Sequence, residues 1–134
     1  MSRLVLIADD NADNILLIKK ILKRSGLDLE FIDVQSGRET LRVAIERVPE
    51  IILLDMKMPD IDGYKAAAEL KSNDVTKHVP VIAITAQAML GDKEKALQAG
   101  CNEYLTKPID PVLLIDAIKK HLSEASGGEK SEQK

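Results

Sequence analysis

The middle of the sequence contains Ile51-Ile52-Leu53-Leu54-Asp55, four large apolar residues followed by an acid. The run does not alternate between apolar and polar residues, which is typical of a strand covered on both faces in a parallel sheet. Short apolar runs also occur at Leu4 to Ala8, Val81 to Ile84 and Tyr104 to Leu105, with a more mixed run at Phe31 to Val34. We therefore predict five strands, with the mixed second strand near an edge of the sheet.

Segments with helical spacing separate these strands. The first helix ends near Gly26 and has an apolar stripe formed by Ile15, Ile18, Ile21 and Leu22. The second opens at Ser36 and Glu39, which form a capping-box pattern, and it carries Leu41, Ala44, Ile45 and Val48. A third helix follows Gly63, a fourth runs from about Leu90 to Ala99 before Gly100, and a fifth starts at Asp110-Pro111.

Five strands that alternate with five helices predict an α/β fold with a doubly wound parallel sheet. We place this domain at residues 1–122, because residues 123–134 contain one Ala and no larger hydrophobic residue. Such a composition predicts a disordered C-terminal tail. In doubly wound folds, function lies at the carboxyl ends of the strands.

Composition narrows the functional class. The 134 residues include 19 Lys and Arg against 22 Asp and Glu, for a net charge of −3, which argues against a nucleic-acid partner or a membrane surface. One cysteine, Cys101, can form neither an internal disulfide nor a zinc cluster, so we expect a reducing compartment. Because no apolar run is long enough to cross a bilayer, we expect a cytoplasmic protein without membrane insertion.

Polar residues stand where the predicted strands end: Asp9 and Asp10 after the first, Asp55 after the third, Thr85 after the fourth, and Lys107 after the fifth. The carboxyl ends of parallel strands meet at one edge of the sheet, so these side chains converge. Carboxylates about 4 Å apart repel by about 4 kcal/mol per pair at an effective dielectric near 20. The cluster therefore implies a cation, and oxygen ligands favour Mg²⁺ or Mn²⁺ over zinc.

Two further groups at this edge suit phosphoryl chemistry. Lys107 supplies a positive charge, and Thr85 supplies a hydroxyl donor. A carboxylate that attacks phosphorus needs a metal and a Lys or Arg to neutralise the oxygens of the transferring group. The predicted edge contains each of these components.

The chain resembles the receiver domain of bacterial two-component response regulators. The matching segments are Asp9-Asp10-Asn11, residues 55–63, Thr85-Ala86 and Lys107-Pro108, in the order and spacing of that family. The resemblance covers about residues 3–122 and implies a flavodoxin-like (βα)5 fold with strand order 2-1-3-4-5. It also implies a single-domain regulator that signals through protein contacts and is not a turnover enzyme.

The resemblance assigns the phosphoacceptor and the metal ligands. Asp55 would accept a phosphoryl group from a histidine kinase or a histidine phosphotransfer protein. Asp9, Asp10, Asp55 and the backbone carbonyl of Lys57 would hold Mg²⁺, for which Mn²⁺ can substitute. In this family, Lys57 and Gln87 occupy positions that tune how long the phosphoryl group lasts.

The resemblance also assigns a switch. Thr85 and Lys107 would engage the phosphoryl group after transfer, and Tyr104 matches an aromatic position whose ring swings inward when the Thr moves. Together, Thr85 and Tyr104 would change the surface that binds a downstream protein target. A half-buried packing role for Tyr104 is the competing interpretation.

Other functions fit parts of the sequence. The chain could be the receiver module of a hybrid kinase or phosphorelay, or a constitutive pseudo-receiver that only binds partners. A Mg²⁺-dependent phosphohydrolase of the haloacid dehalogenase type is a third alternative. That family places its nucleophile after the first strand with a second Asp two residues later, whereas Asp9 and Asp10 are adjacent.

The remaining unusual residues are interpreted structurally. Cys101 is expected to be a small packing residue, and His78 and His121 are expected at the surface. The methionines Met56, Met58 and Met89 are expected to pack against other side chains rather than to bind a metal.

Overall fold

The computed structural model describes residues 2–86 and 89–126, with side chains up to residue 122. Within these residues, five strands alternate with five helices. In chain order they are β1 (Arg3–Ala8), α1 (Ala12–Lys23), β2 (Leu29–Val34), α2 (Gly37–Arg47), β3 (Ile51–Asp55), α3 (Gly63–Ser72), β4 (Val81–Thr85), α4 (Asp92–Gln98), β5 (Glu103–Thr106) and α5 (Pro111–Ser126).

All strand pairs are parallel, and the strands lie in the order β2-β1-β3-β4-β5. The predicted fold and strand order are therefore confirmed, and the mixed strand β2 lies at an edge. Every residue of β3 and β4 is buried, because helices cover both faces of the sheet. The order of the strands reverses between β1 and β3, which is where a doubly wound fold opens a crevice.

Alternate residues of the strands supply two separate cores. One face carries Leu6, Leu54 and Ala83 and packs against α2, α3 and α4. The other carries Ile7 and Leu53 and packs against α1 and α5. Full burial of each large aliphatic side chain is worth roughly 1.5–3 kcal/mol, so both layers contribute to holding the sheet rigid beneath its carboxyl edge.

The predicted helix ends are largely confirmed. The Ser36 side chain accepts a hydrogen bond from the backbone N–H of Glu39 at 3.1 Å, and Asp110 accepts one from Val112 at 2.9 Å. Gly26 has φ +84° after α1, and Gly100 has φ +110° after α4. Both glycines adopt the left-handed conformation that ends helices at low steric cost.

Boundaries of α4 and α5 differ from the sequence prediction. Helix α4 begins at Asp92 rather than Leu90. Helix α5 continues to Ser126, so four residues assigned to the tail are helical. Glu124 and Ala125 favour the helix, and extension of an existing helix carries no new nucleation cost. Residues 127–134 of the predicted tail, and Gln87, lie outside the described residues.

The side-chain predictions had mixed outcomes. His121 is 3% exposed rather than on the surface, because the helical period of α5 places it on the same inward face as Leu114 and Ile118. Met89, which was expected to pack, is 67% exposed in the connection between β4 and α4. Ile45 is 42% exposed, since the inward face of α2 is shifted toward Thr40, Val43 and Ala44.

Predictions for several other residues are confirmed. The α1 stripe is buried, as are Met56, Met58 and Cys101, while His78 is exposed. Among the described residues, no helix has the length and apolar character needed to span a membrane.

Burial makes Cys101 a testable marker of native packing. Desolvation raises the pKa of its thiol to about 11, so the reactive thiolate is scarce at pH 8. We expect iodoacetamide to modify the native protein slowly at pH 8 and the urea-unfolded protein rapidly, as followed by intact-mass spectrometry. Equal rates in the two states would contradict the buried position of Cys101.

Candidate phosphoacceptor site

Three carboxylates meet at the carboxyl edge of the sheet, beside the point where the strand order reverses. Asp9 and Asp10 follow β1, and Asp55 ends β3. One oxygen from each of these side chains lies within 4.8 Å of the other two. Asp9 and Asp55 are buried, whereas Asp10 is exposed, so solvent reaches the cluster from the side of Asp10.

Lys107 links the two buried carboxylates. Its Nζ lies 3.1 Å from Oδ2 of Asp9 and 3.3 Å from Oδ2 of Asp55, and the Lys107 side chain is 16% exposed. The N–H of Lys107 donates to the carbonyl of Thr85 at 2.8 Å, which fixes the chain after β5 against the end of β4. The backbone pairing of the strands thus delivers the lysine to the site.

Lys107 balances the negative charge of the buried Asp55 carboxylate only in part. Burial raises the pKa of Asp55, the hydrogen bond from the Lys57 N–H lowers it, the Asp9 charge raises it, and Lys107 lowers it. Burial is the largest of these causes, and the resulting pKa is above its ordinary value. A further positive charge beside Asp55 would therefore favour its ionised form.

The donor set fits a hard divalent cation. Among the described residues, the three clustered carboxylates carry more charge than Lys107 can balance, which leaves an excess of negative charge in a partly buried site. Carboxylate oxygens are the ligands that Mg²⁺ and Mn²⁺ prefer, and the exposed side of the cluster leaves room for waters and a substrate oxygen. The predicted residues Asp9, Asp10 and Asp55 are the ones brought together.

The loop that follows β3 is tightly constrained. The Lys57 N–H donates to Oδ1 of Asp55 at 2.9 Å, and Lys57 forms an isolated bridge with Asp62. A Cβ on Gly63 would lie 2.5 Å from the Cα of Met56. Glycine is therefore required at this position by the close approach of backbone, which is the tight turn expected from the sequence.

Thr85 and Tyr104 lie on adjacent strands near the same edge. Thr85 ends β4 and is 2% exposed, and Tyr104 packs against the core on the face of α2, α3 and α4. The Tyr104 hydroxyl is buried and has no hydrogen-bond partner among the described residues. The residue as a whole is half-buried, and burial raises the pKa of Tyr104.

Asp60 is a site-loop residue whose contact the sequence did not reveal. Its carboxylate accepts hydrogen bonds from the N–H groups of Gly37 and Arg38 at the start of α2. The sequence shows the N-cap of α2 at Ser36. The second acceptor at this helix end is Asp60, which lies 23 residues after Gly37 and 22 after Arg38. No local pattern could have paired Asp60 with that helix.

Comparison with known proteins identifies the family. The model of the response regulator receiver domain matches residues 5–119. The polar-differentiation response regulator DivK of Brucella ovis is 39% identical over 125 residues, which cover 93% of this chain and 100% of the relative.

Two solved receiver structures are also similar. The receiver domain of a sensor histidine kinase from Pseudomonas aeruginosa, with magnesium coordinated in its active-site cleft, is 32% identical with a TM-score of 0.82, over 92% of this chain and 99% of that one. The Mn²⁺-bound response regulator Rcp1 is 27% identical with a TM-score of 0.73, over 90% of this chain and 92% of that one.

The chain therefore belongs to the response regulator receiver domain family of two-component systems. It is similar along nearly its whole length to single-domain regulators of the DivK type. Receiver domains act as phosphoacceptors in signalling, and this role is general for the family.

Because the charge of Asp55 is only partly balanced, we expect replacement of this residue by a neutral one to stabilise the fold. Asp55→Asn removes a buried charge, so we expect its free energy of unfolding at pH 7, without divalent cations, to exceed that of wild type by about 1 kcal/mol. The difference should shrink at lower pH, because folded wild type then takes up a proton at its raised pKa.

Chemical denaturation over a pH series measures this effect. Asp10→Asn is the matched control, because Asp10 belongs to the same cluster but is exposed, and we expect a smaller change. An Asp55→Asn variant less stable than wild type at pH 7 would show that Lys107 already balances the buried charge.

Proposed function

We propose that this protein is a single-domain response regulator that accepts a phosphoryl group on Asp55 from a histidine kinase or histidine phosphotransfer protein. The observation that carries the proposal is the position of Asp55. It is buried at the end of a central strand, within reach of Lys107 and clustered with two further carboxylates.

We propose Asp9, Asp10, Asp55 and the backbone carbonyl of Lys57 as the ligands of Mg²⁺, with Mn²⁺ able to substitute. The bound cation would neutralise oxygens of the transferring phosphoryl group. The clustering of Asp9, Asp10 and Asp55 supports this assignment, as do the magnesium- and manganese-bound states of two similar receivers.

The protein's own residues position the nucleophile and receive the charge. A carboxylate oxygen of Asp55 attacks phosphorus, the P–N bond to the donor histidine breaks, and the leaving imidazole nitrogen takes up a proton. The Lys57 N–H fixes one oxygen of Asp55, so the carboxylate is oriented before the reaction. Lys107 and the Thr85 hydroxyl then stabilise the acyl phosphate.

The proposed reaction is self-limited. Each Asp55 carries one phosphoryl group until water or the phosphorelay removes it, so the protein does not turn over a pool of small substrates. A haloacid dehalogenase-type hydrolase is disfavoured because the buried acceptor is the last residue of β3, while the carboxylates after β1 are adjacent residues.

The proposed output is a change in a protein-binding surface. Thr85 moves toward the phosphoryl group, and the ring of Tyr104 on the neighbouring strand responds, which biases a two-state surface formed by α4, β5 and α5. The partners are a phosphodonor protein and a downstream protein target, without nucleic acid or membrane insertion. A free, buried cysteine supports a cytoplasmic location.

Phosphorylation can be tested directly with a small acyl phosphate donor and Mg²⁺, followed by intact-mass spectrometry. We expect the mass of one added phosphoryl group in wild type, and no addition with a chelator or in Asp55→Asn. The control Asp74→Asn alters a carboxylate that is 92% exposed and should be phosphorylated normally. A folded wild type that never gains the group would favour a pseudo-receiver.

The switch can be separated from phosphoryl acceptance by Thr85→Ala. We expect this variant to be phosphorylated but to lose the phosphorylation-dependent change in hydrogen exchange over residues 89–106, because it lacks the hydroxyl that would move toward the phosphoryl group. Thr106→Ala is the matched control, since Thr106 pairs with Thr85 in the sheet but is exposed. An unaltered exchange response in Thr85→Ala would remove Thr85 from the switch.

A further inference from the structure

The loop after the acceptor strand is tethered to a different helix. Oδ1 of Asp60 accepts the N–H of Gly37 at 2.8 Å, and Oδ2 accepts the N–H of Arg38 at 2.9 Å. The first N–H groups of a helix have no partner within it. A carboxylate that accepts two of them at once makes a directional, charge-assisted contact.

An apolar contact lies directly beside this tether. A Cβ on Gly37 would stand 1.7 Å from Cγ2 of Ile61, so Ile61 occupies the space that any larger residue would need. Two successive loop residues, Asp60 and Ile61, therefore dock on the same turn of α2. One contributes hydrogen bonds, and the other contributes close packing.

The other end of this loop reaches the site. The Lys57 N–H holds Oδ1 of Asp55 at 2.9 Å, and the bridge between Lys57 and Asp62 closes the loop on itself. Asp62 caps α3 through the N–H of Tyr64 at 2.8 Å. Lys57 and Asp60 are three residues apart within this closed loop, so the tether on α2 and the Lys57 peptide belong to the same short segment.

We propose that Asp60 is a positioning residue for the cation site: by fixing the loop on α2, it holds the backbone carbonyl of Lys57 where Mg²⁺ needs it. The inference rests on the proposed function, in which that carbonyl is a ligand. Groups that orient metal ligands without touching the metal typically change affinity by roughly 10–100-fold.

Titration of Mg²⁺ by NMR, following backbone amide signals, tests this role. We expect Asp60→Ala to raise the Mg²⁺ dissociation constant by about tenfold, while its phosphorylation rate recovers at saturating Mg²⁺. Asp60→Asn keeps one acceptor oxygen and should fall between Asp60→Ala and wild type. A purely structural role would not produce this separation between affinity and rate.

Ser36→Ala is the matched control. It removes the other side-chain cap at the same helix end, the bond from the Glu39 N–H, without altering the loop. We expect its Mg²⁺ affinity to remain within about twofold of wild type, while Asp60→Ala falls by about tenfold. Equal affinities in Ser36→Ala and Asp60→Ala would overturn the positioning role.

A second variant guards against a folding failure of Asp60→Ala. Gly37→Ala places a methyl group against Ile61 and pushes the loop away from α2 while the Asp60 carboxylate is retained, so it should also weaken Mg²⁺ binding. If wild type binds Mg²⁺ and is phosphorylated but neither loop variant weakens binding, the positioning role alone is overturned. If wild type binds no Mg²⁺, the proposed function fails and the positioning role fails with it.

Discussion

The ion pairs of Lys107 with two buried carboxylates connect the ends of three strands at the functional edge of the sheet. The lysine Nζ lies 3.1 Å from Asp9 and 3.3 Å from Asp55, partners that are 98 and 52 residues away in the chain. A buried carboxylate without compensation is costly. Lys107 offsets part of that cost, and the assembly of the ends of β1, β3 and β5 is what brings it to both carboxylates.

Lys107 balances only part of the negative charge at this edge, and the remaining negative charge gives the site its affinity for a cation. Burial is the largest influence on Asp55 and raises its pKa, and the nearby Asp9 raises it further. A single lysine cannot balance three carboxylates, so the edge favours a cation and, beside it, a group with anionic oxygens. The two helical layers that bury β3 also exclude water from one side of its terminal carboxylate.

Much of this could be predicted from local patterns. The apolar runs, the stripe of α1 and the cap at Ser36 identified the elements, and the polar residues at the strand ends identified the edge. The errors arose where a side chain's surroundings depend on a distant segment or on the phase of a helix. His121, on the inward face of α5, places its Nε2 3.0 Å from Oε1 of Glu103 on β5. Met89, which was expected to pack, is exposed in the connection before α4.

The sequence by itself determined the α/β class and the set of residues at the carboxyl edge, because strand and helix periods and end signals are local properties of the chain. Tertiary structure alone decided which acids are buried, that Lys107 pairs with both Asp9 and Asp55, and that Asp60 docks on α2. These outcomes depend on contacts between residues 22 to 98 positions apart, and the energies of such contacts exist only once the layers have packed.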